Sequence, residues 1–157
     1  MILEKLQNNY RANTKSLAIL VDPDKCSEQH CGRLLGACKD TEVDFLLVGG
    51  SLITNDNQSE TIRKIKASSN MPVILFPGSN MYLNDSADAV LFLSLISGRN
   101  PDFLIGQHVI AAPFLKARAI EVLPTGYMLI GNDRSTTAAY ISNTAPIPLK
   151  KYDIAVC

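Results

Sequence analysis

The chain has 157 residues, of which 46% are hydrophobic, and this length and composition predict one folded domain spanning residues 1–157. Fifteen lysines and arginines balance fifteen aspartates and glutamates, so the chain lacks the basic excess that nucleic-acid binding requires. The longest apolar run, about eight residues from Ala89 to Ile96, is well short of the roughly 20 that cross a bilayer, and the N-terminus has no signal-peptide pattern, which together predict a cytoplasmic protein.

The first half of the chain alternates between predicted strands and helices. Leu17 to Val21 is an unbroken aliphatic run, too short for a helix, which is typical of a strand buried on both faces. Helical spacing then extends from Ser27, a predicted N-cap, to about Lys39. The apolar run Phe45–Val48 predicts the second strand.

A second helix and a third strand follow. Asn57 and Glu60 resemble a capping box, and Ile62 and Ile65 are expected to face inward among basic residues. The run Pro72–Phe76 predicts the third strand.

The connection to the fourth strand is unusual. Only about a dozen residues, mostly glycine, serine, asparagine and aspartate, separate Phe76 from the apolar run Ala89–Leu93. A crossover between parallel strands takes a dozen residues or more and normally contains a helix. This connection is therefore predicted to lack a regular helix.

The second half carries one more predicted helix and strand. Asn100–Arg118 is amphipathic and predicts a helix that Pro113 should end or kink. Glu121–Ile130 predicts a fifth strand, interrupted at Pro124. Beyond Asn132 the chain is rich in serine, threonine, asparagine and proline, and no element is predicted.

The alternation of strands and helices indicates right-handed βαβ units and a parallel sheet with both faces covered. Five strands fit two α/β architectures. One is an open doubly wound sheet, and the other is the first five-eighths of a (β/α)8 barrel, which takes about 250 residues in all. The spacing of the elements does not decide between them.

Polar residues follow the first two strands, where both architectures place functional groups. The segment Asp22–Lys25 follows the first strand, and Gly49–Ser51 follows the second. Neighbouring parallel strands lie about 4.8 Å apart, so a carboxylate and a hydroxyl can converge there, and such oxygens suit Mg²⁺. The alternative is that both segments are only polar turns.

Other reactive residue types lack the neighbours that would define a site. Tyr127 follows Gly126 within the fifth strand, and glycine there often marks the approach of a ligand, although a packed core tyrosine fits as well. His30 and His108 have no carboxylate or cysteine at ligand spacing and are expected at the surface or in the core. The cysteines form no CxxC pair and are expected to pack as small apolar residues.

Six short segments are distributed in order along nearly all of the chain: Val21–Lys25, Val48–Ser51, Pro72–Gly78, Ser94–Pro101, Glu121–Ile130 and Ser142–Pro148. Together they resemble the geranylgeranylglyceryl phosphate synthase family, which includes the bacterial heptaprenylglyceryl phosphate synthases, and are most similar to its second group. The resemblance implies a modified TIM (β/α)8 barrel in which an irregular segment replaces the third helix. The short connection after Phe76 matches that feature.

The resemblance also implies an activity and a site. Family members join the 3-hydroxyl of sn-glycerol 1-phosphate to C1 of a polyprenyl diphosphate, such as geranylgeranyl diphosphate, and release diphosphate with the help of Mg²⁺, as the first step of ether-lipid synthesis. By position, Asp22 and Ser51 correspond to the family's magnesium ligands, and Tyr127 is expected near the reacting carbons. An apolar groove for the prenyl tail is expected to contain Leu95, Ile96 and Phe103.

The chain departs from the family pattern in two ways. Leu20 stands where the other group has a lysine that contacts glycerol phosphate. The family binds glycerol phosphate with loops after the sixth, seventh and eighth strands, and these are absent from this chain, which is expected to supply about the first five strands. Two interpretations remain: part of a longer enzyme, or a truncated relative without activity that serves as an assembly subunit. We further expect a homo-oligomer that contacts a membrane surface transiently during product release.

A phosphotransfer receiver domain is the remaining alternative, because Asp22 and Asp24 form an acidic pair after the first strand. A receiver also requires an aspartate at the end of the third strand. This chain has Phe76–Gly78 there, which disfavours a receiver.

Overall fold

The computed structural model describes residues 1–55, 57–79, 82–131 and 136–150, and a five-stranded parallel sheet forms its centre. The strands are β1 (Ala18–Val21), β2 (Phe45–Gly50), β3 (Val73–Pro77), β4 (Ala89–Leu95) and β5 (Glu121–Tyr127). The helices are α1 (Ile2–Arg11), α2 (Glu28–Asp40), α3 (Gln58–Ser68), α4 (Gln107–Lys116) and α5 (Thr137–Ser142). A 3-10 turn (Pro23–Lys25) precedes α2, and a π-helical turn (Asp102–Gly106) precedes α4.

The order of the strands decides between the two predicted architectures. Each strand lies beside its neighbours in sequence, in the order β1-β2-β3-β4-β5, and every pair is parallel. A doubly wound sheet instead reverses its strand order at an internal switch point. An uninterrupted order is that of a (β/α)8 barrel, so the predicted fold class is confirmed.

The two faces of the sheet bury different sets of side chains. The face toward α2, α3 and α4 carries the larger cluster, in which Val48 and Val90 are fully buried against the rest of the core. Ile62 and Ile65 of α3 are fully buried in the same cluster, which confirms that they face inward. The opposite face buries a smaller set: Phe45, Ile74, Ala89 and Leu123, with Ile2 of α1.

Helix α1 covers this second face and is missing from the sequence prediction. The N–H groups of Ile2 and Leu3 donate to the carboxylate of Glu121 at 2.7 and 2.9 Å, and Lys5 pairs with Asp44 at 2.9 Å. A carboxylate at a helix N-terminus accepts hydrogen bonds from N–H groups that have no partner within the helix, and its negative charge interacts favourably with the helix dipole. Because Glu121 lies 119 residues beyond Ile2, no local pattern announces this cap.

The next two helices begin differently. Ser27 caps α2, its hydroxyl oxygen accepting from the His30 N–H at 3.3 Å, as predicted. The capping box predicted for α3 is wrong, because Asn57 makes no side-chain cap and Glu60 pairs with Lys64 at 2.8 Å. Asn57 has φ −100° and ψ 0°, outside the extended conformation that directs an N-cap side chain at the first turn.

The connection from β3 to β4 has no α-helix in its described residues, 78–79 and 82–88, as predicted. Asp88 anchors its end: the carboxylate accepts from the Val73 N–H at 2.8 Å and pairs with Lys66 at 2.7 Å. Strand β4, which follows, is buried at Ala89, Val90 and Leu95 and partly exposed between Val90 and Leu95.

Proline acts differently in α4 and in β5. Helix α4 continues through Pro113 and ends three residues later at Lys116, so Pro113 does not end it. Strand β5 runs through Pro124 without a break, so the predicted interruption is wrong. The Glu121 N–H donates to the Asp88 carbonyl oxygen of the neighbouring segment at 3.2 Å. Since N–H directions alternate along a strand, the Pro124 nitrogen faces away from β4 and removes no bond of this ladder.

Helix α5 lies in a region for which the sequence predicts no element. The Thr136 hydroxyl caps it, accepting from the Ala139 N–H at 3.1 Å, and Asn143 ends it in the left-handed conformation with φ 49°. At six residues, α5 is too short for its periodicity to be recognised. None of the helices in the described part of the chain is long and apolar enough to cross a membrane.

Candidate active site

The residues that follow β1 and β2 emerge at one edge of the sheet. The ladder pairs Val21, the last residue of β1, with Val48 of β2, and β2 continues to Gly50. Asp22 directly follows β1, and Ser51 directly follows β2. The two predicted metal ligands therefore leave adjacent strands at the same end.

Asp22 is held by its own turn. Its Oδ1 accepts from the Asp24 N–H at 3.1 Å, and its Oδ2 pairs with the Lys25 ammonium at 3.1 Å. Pro23 fixes φ at the start of the 3-10 turn between them. The side chain of Asp22 is 30% exposed and that of Lys25 is 81% exposed. A pair this open to solvent is weak, so another cation can replace Lys25 at small cost.

Asp24 has different partners, in the loop after β2. Its Oδ2 accepts from the backbone N–H and the hydroxyl of Thr54 at 2.7 and 2.8 Å. Its Oδ1 accepts from the backbone N–H and the side-chain amide of Asn55 at 3.1 and 3.4 Å. The Thr54 N–H and hydroxyl, and then Asn55, lower the pKa of the Asp24 carboxyl from its ordinary value. The two aspartates thus have distinct environments, although they are two residues apart.

Two glycines let the strand ends approach each other closely. Gly49 has φ 148°, and a Cβ there would collide with the Phe76 carbonyl oxygen of β3. A Cβ on Gly78 would lie 2.6 Å from the Ser51 carbonyl oxygen, closer than real Cβ contacts allow. Side chains are therefore excluded at both positions, and Ser51 lies against the start of the β3–β4 connection.

An apolar cleft extends from Ser51 between the β3–β4 connection and α4. Its walls come from strands β3, β4 and β5, from the first turns of α4, and from α5. Near Ser51, the rings of Phe76 and Tyr127 meet edge-on, with centroids 5.8 Å apart. At the inner end, the cleft is lined by Val90 of β4 and Ala111 of α4, both buried in the core. On the side of the β3–β4 connection, the cleft is lined by Gly78, Ser79 and Leu83, which lie in no α-helix.

The three predicted groove residues do not share one position. Leu95, at the end of β4, and Phe103, in the π-helical turn, line the cleft with Tyr127. Ile96 does not line it: it packs over Gly126, where a Cβ would lie 3.1 Å from Ile96 Cδ1. Successive residues of an extended chain point in opposite directions, so Leu95 and Ile96 separate. The structure thus places Leu95 and Phe103 in the lining of the cleft and Ile96 beside Gly126.

His108 lines the cleft as well, although the sequence did not place it in the site. His108 stacks on Phe92 with ring centroids 3.9 Å apart, and its Nε2 lies 2.8 Å from the Leu93 carbonyl oxygen. A carbonyl only accepts, so Nε2 carries a proton and donates. His108 is thus the satisfied histidine that the sequence offers as one alternative, while His30 is exposed. The only sequence signal for its position is the helical spacing of residues 108 and 111.

The cysteines within the described residues are free thiols. Cys31 and Cys38 are buried in the main core cluster, as predicted. Burial, with a contribution from the neighbouring Cys31 thiol, raises the pKa of Cys26 to about 12, so this thiol stays protonated at neutral pH. Cys157 lies outside the described residues.

The comparison with known proteins places the chain in a family. The sequence pattern of the PcrB family matches residues 10–157. The chain belongs to the PcrB family. This PcrB-family chain is similar to the geranylgeranylglyceryl phosphate synthases of Spirosoma linguale, with 54% identity over 143 residues, and of Flavobacterium johnsoniae, with 40% identity over 155 residues. The resemblance drawn from the six segments is confirmed.

The PcrB-family chain spans only part of these relatives. The alignments cover 91% and 99% of this chain, but 57% and 62% of the relatives from S. linguale and F. johnsoniae. The chain thus spans less than two-thirds of the length of either.

Two solved structures share the fold of this PcrB-family chain. The (S)-3-O-geranylgeranylglyceryl phosphate synthase of Thermoplasma acidophilum, in complex with its substrate sn-glycerol 1-phosphate, superposes with a TM-score of 0.88 at 31% identity. That comparison covers 99% of this chain and 62% of the other. The wild-type enzyme of Thermoplasma volcanium gives a TM-score of 0.83 at 28% identity, covering 96% of this chain and 61% of the other.

Proposed function

We propose that the protein is a prenyltransferase that joins the 3-hydroxyl of sn-glycerol 1-phosphate to C1 of a polyprenyl diphosphate such as geranylgeranyl diphosphate. The bond between C1 and the diphosphate oxygen breaks, an ether bond to C1 forms, the hydroxyl proton leaves, and diphosphate is released. Two observations on relatives support this reaction. The similar proteins of S. linguale and F. johnsoniae are named as such synthases, and the T. acidophilum structure contains sn-glycerol 1-phosphate as substrate.

The apolar cleft beside Ser51 is the observation that carries the proposal. A prenyl diphosphate has a charged head and a long apolar tail, so its site must join oxygen ligands to an apolar groove. Asp22 and Ser51 supply the oxygens, and the cleft extends from Ser51 past Tyr127 to Ala111. Burial of the tail contributes about 0.8 kcal/mol per CH₂, so several isoprene units bind strongly by this term alone.

The residues at the strand ends fit a magnesium ion, which we include in the proposal. Asp22 offers a carboxylate and Ser51 a hydroxyl, both of them hard oxygen donors, and Asp22 Oδ2 already pairs with a cation, the Lys25 ammonium. The described residues include no cluster of three His, Cys, Asp or Glu side chains suited to a metal. Mg²⁺ needs no such cluster, since water and substrate phosphates complete its shell. When bound, it neutralises charge that develops on the departing diphosphate.

The protein side chains orient the substrate and exclude water. Phe76 and Tyr127 lie where the oxygen-rich end of the site meets the apolar cleft, so we assign Tyr127 a position beside the reacting carbons. Leu95 and Phe103 extend the apolar wall from there. Exclusion of water from C1 protects the prenyl group from hydrolysis, and a fixed position for C1 makes attack by the glycerol hydroxyl effectively unimolecular.

The proposal covers the rest of the protein as well. We assign residues 1–157 to one domain that forms five strands of the barrel, and glycerol phosphate binding to loops after later strands. We further propose a cytoplasmic homo-oligomer that acts at the first step of ether-lipid synthesis and touches the membrane surface when it releases its product. A receiver function is not favoured, because β3 ends in Pro77, followed by Gly78, and lacks the aspartate that accepts a phosphoryl group.

The test is a transfer assay on the full-length protein. It is incubated with sn-glycerol 1-phosphate, radiolabelled geranylgeranyl diphosphate and Mg²⁺, and a known synthase is assayed in parallel. We expect a labelled prenylglyceryl phosphate ether, lost with EDTA and restored by added Mg²⁺, with far less product from sn-glycerol 3-phosphate. Absence of the labelled ether while the known synthase is active would refute the proposal. Full activity in EDTA would refute its metal component alone.

A further inference from the structure

The carboxylate of Asp24 links the two loops that carry Asp22 and Ser51. Asp24 lies two residues beyond Asp22, within the 3-10 turn after β1. Its oxygens accept from Thr54 at 2.7 and 2.8 Å and from Asn55 at 3.1 and 3.4 Å. Thr54 is three residues beyond Ser51, so these contacts connect the loops close to the proposed metal ligands.

The ladder between β1 and β2 does not reach these loops. Its last pair is Val21 with Val48, whereas Gly49 and Gly50 pair with β3. Beyond that last pair, the hydrogen bonds between the two segments, within the described residues, all go through the Asp24 carboxylate. Among the described residues, the Asp24 carboxylate is therefore the hydrogen-bonded link between the loop that carries Asp22 and the loop that follows Ser51.

The other side of the loop after β2 is fixed independently. The Tyr82 hydroxyl donates to the Ile53 carbonyl oxygen at 3.0 Å. A Cβ on Gly78 would lie 2.6 Å from the Ser51 carbonyl oxygen, which shows how closely the β3–β4 connection approaches. Contacts from the β3–β4 connection hold the loop toward β3, and Asp24 holds it toward β1.

We propose that Asp24 is a positioning residue that sets the separation of Asp22 and Ser51, and through it the affinity of the site for Mg²⁺. This inference rests on the proposed function, because it requires the metal to lie between those two residues. Both carboxylate oxygens of Asp24 already accept from donors of the loop, so Asp24 acts on the ligands and does not bind the ion. Residues that orient metal ligands in this way typically change metal affinity by about 10- to 100-fold when mutated.

Two substitutions separate geometry from charge. Asp24→Asn removes the charge, whereas Asp24→Glu keeps the charge and moves the carboxylate outward by one methylene. We expect both to weaken Mn²⁺ binding by about 10- to 100-fold. In the transfer assay, both should raise the Mg²⁺ concentration needed for half-maximal rate, and kcat should recover at high Mg²⁺. Glu60→Gln is the matched control, because it removes an exposed carboxylate from α3 and should bind Mn²⁺ as the wild type does.

The measurement is a Mn²⁺ titration of the full-length protein followed by electron paramagnetic resonance, with thermal denaturation to verify folding. Mn²⁺ takes the same oxygen ligands as Mg²⁺. If Asp24→Glu binds Mn²⁺ as tightly as the wild type, charge alone matters and the inference is overturned. If neither Asp24 variant folds, Thr54→Val decides, since it removes one donor and keeps the carboxylate. Weaker binding then supports the inference, and unchanged binding overturns it.

Asp22→Asn distinguishes this inference from the proposed function. If Asp22→Asn binds Mn²⁺ like the wild type, the metal lies elsewhere, and the proposed metal site and the role of Asp24 both fail. If Asp22→Asn loses Mn²⁺ while both Asp24 variants retain it, the metal site stands and only the positioning role fails.

Discussion

The inner end of the apolar cleft predicts how the protein discriminates between prenyl tails. Ala111 is 6% exposed and lines the cleft from α4, and the next residue, Ala112, is exposed on the same helix. Ala111→Phe places an aromatic ring in the cleft, whereas Ala112→Phe adds the same ring outside it. The first variant should therefore shorten the tail that the cleft accepts, and the second should not.

The expected loss of binding free energy follows from the number of carbons in the isoprene unit that the cleft no longer buries. One unit carries five carbons, and burial contributes about 0.8 kcal/mol per CH₂, so a unit excluded from the cleft forfeits up to about 4 kcal/mol. Mobility of the tail end reduces this figure, and we expect a 10- to 100-fold rise in KM for geranylgeranyl diphosphate, about 1.4 to 2.7 kcal/mol. Farnesyl diphosphate, which is one unit shorter, should keep its KM. Overpacking in Ala111→Phe should lower the free energy of unfolding by about 1–3 kcal/mol.

The assay compares the kinetics of the two diphosphates for the wild type and both variants. Urea denaturation reports whether each variant is folded at the assay temperature. The reasoning is refuted if Ala111→Phe stays folded and raises the KM of both diphosphates equally, or if Ala112→Phe changes the preference as much as Ala111→Phe does. Either result would mean that the tail does not extend to α4.

Three further predictions concern the strand ends and the N-terminal helix. Asp22→Asn keeps the acceptor for the Asp24 N–H but removes the charge, so turnover should fall at least about 100-fold, or 2.7 kcal/mol, at unchanged melting temperature; near-wild-type turnover would show that the carboxylate is structural. Gly78→Ala sets a Cβ against the Ser51 carbonyl, so urea denaturation should show a loss of about 1–3 kcal/mol, and an unchanged midpoint would contradict the close approach. The Lys5 ammonium and then the Leu17 N–H lower the pKa of the Asp44 carboxyl below 3.8, so these contacts stabilise the fold fully above pH 3.8 and lose that effect as the pH falls through the lowered pKa. The free energy of unfolding of Asp44→Asn should therefore fall less on acidification than that of the wild type. Equal pH dependence of the two proteins would contradict this prediction.

Much of the sheet could be predicted because buried parallel strands leave a local record. Continuous apolar runs mark β1 to β4 to within a few residues, as is typical of strands covered on both faces, although Leu20 of β1 is exposed in this structure. The missing third helix could also be predicted, because the segment after Phe76 is too short and too polar to form one. Strand order could not be predicted from spacing, because it is a property of how whole units pack beside one another.

Elements that depend on distant partners escaped prediction. Helix α1 is capped by Glu121 and packs on a face of the sheet formed by β2 to β5. The residues that stabilise it therefore lie far along the chain and cannot be recognised from the sequence of the helix itself. Pro124 is tolerated in β5 because of the direction of its nitrogen, which depends on the register with β4. The cap predicted at Asn57 is wrong for a different reason. The sequence has the residues of a capping box, but the backbone of Asn57 does not adopt the extended conformation that a capping side chain needs.

The two aspartates after β1 show the same limit at the site itself. Asp22 and Asp24 are chemically identical, lie two residues apart, and are equally available to a metal as far as the sequence goes. Their partners differ because Thr54 and Asn55 come within hydrogen-bond distance of Asp24 only after β1 and β2 have paired. The resemblance to a family could identify Asp22 as the expected metal ligand. It could not predict that Asp24 would connect the two loops.

The lining of the cleft depends on a change of helical phase that periodicity does not reveal. A regular helix from residue 100 to 118 advances 100° per residue, about 3.6 residues per turn. The π-helical turn at Asp102–Gly106 has i→i+5 hydrogen bonds, which amount to about one extra residue in that turn and rotate everything after it by roughly 100° relative to the regular helix. Phe103 within this turn and His108 and Ala111 beyond it consequently line one cleft. Single π-turns inside helices often occur at functional sites, and here the turn brings side chains of α4 into the wall of the apolar cleft.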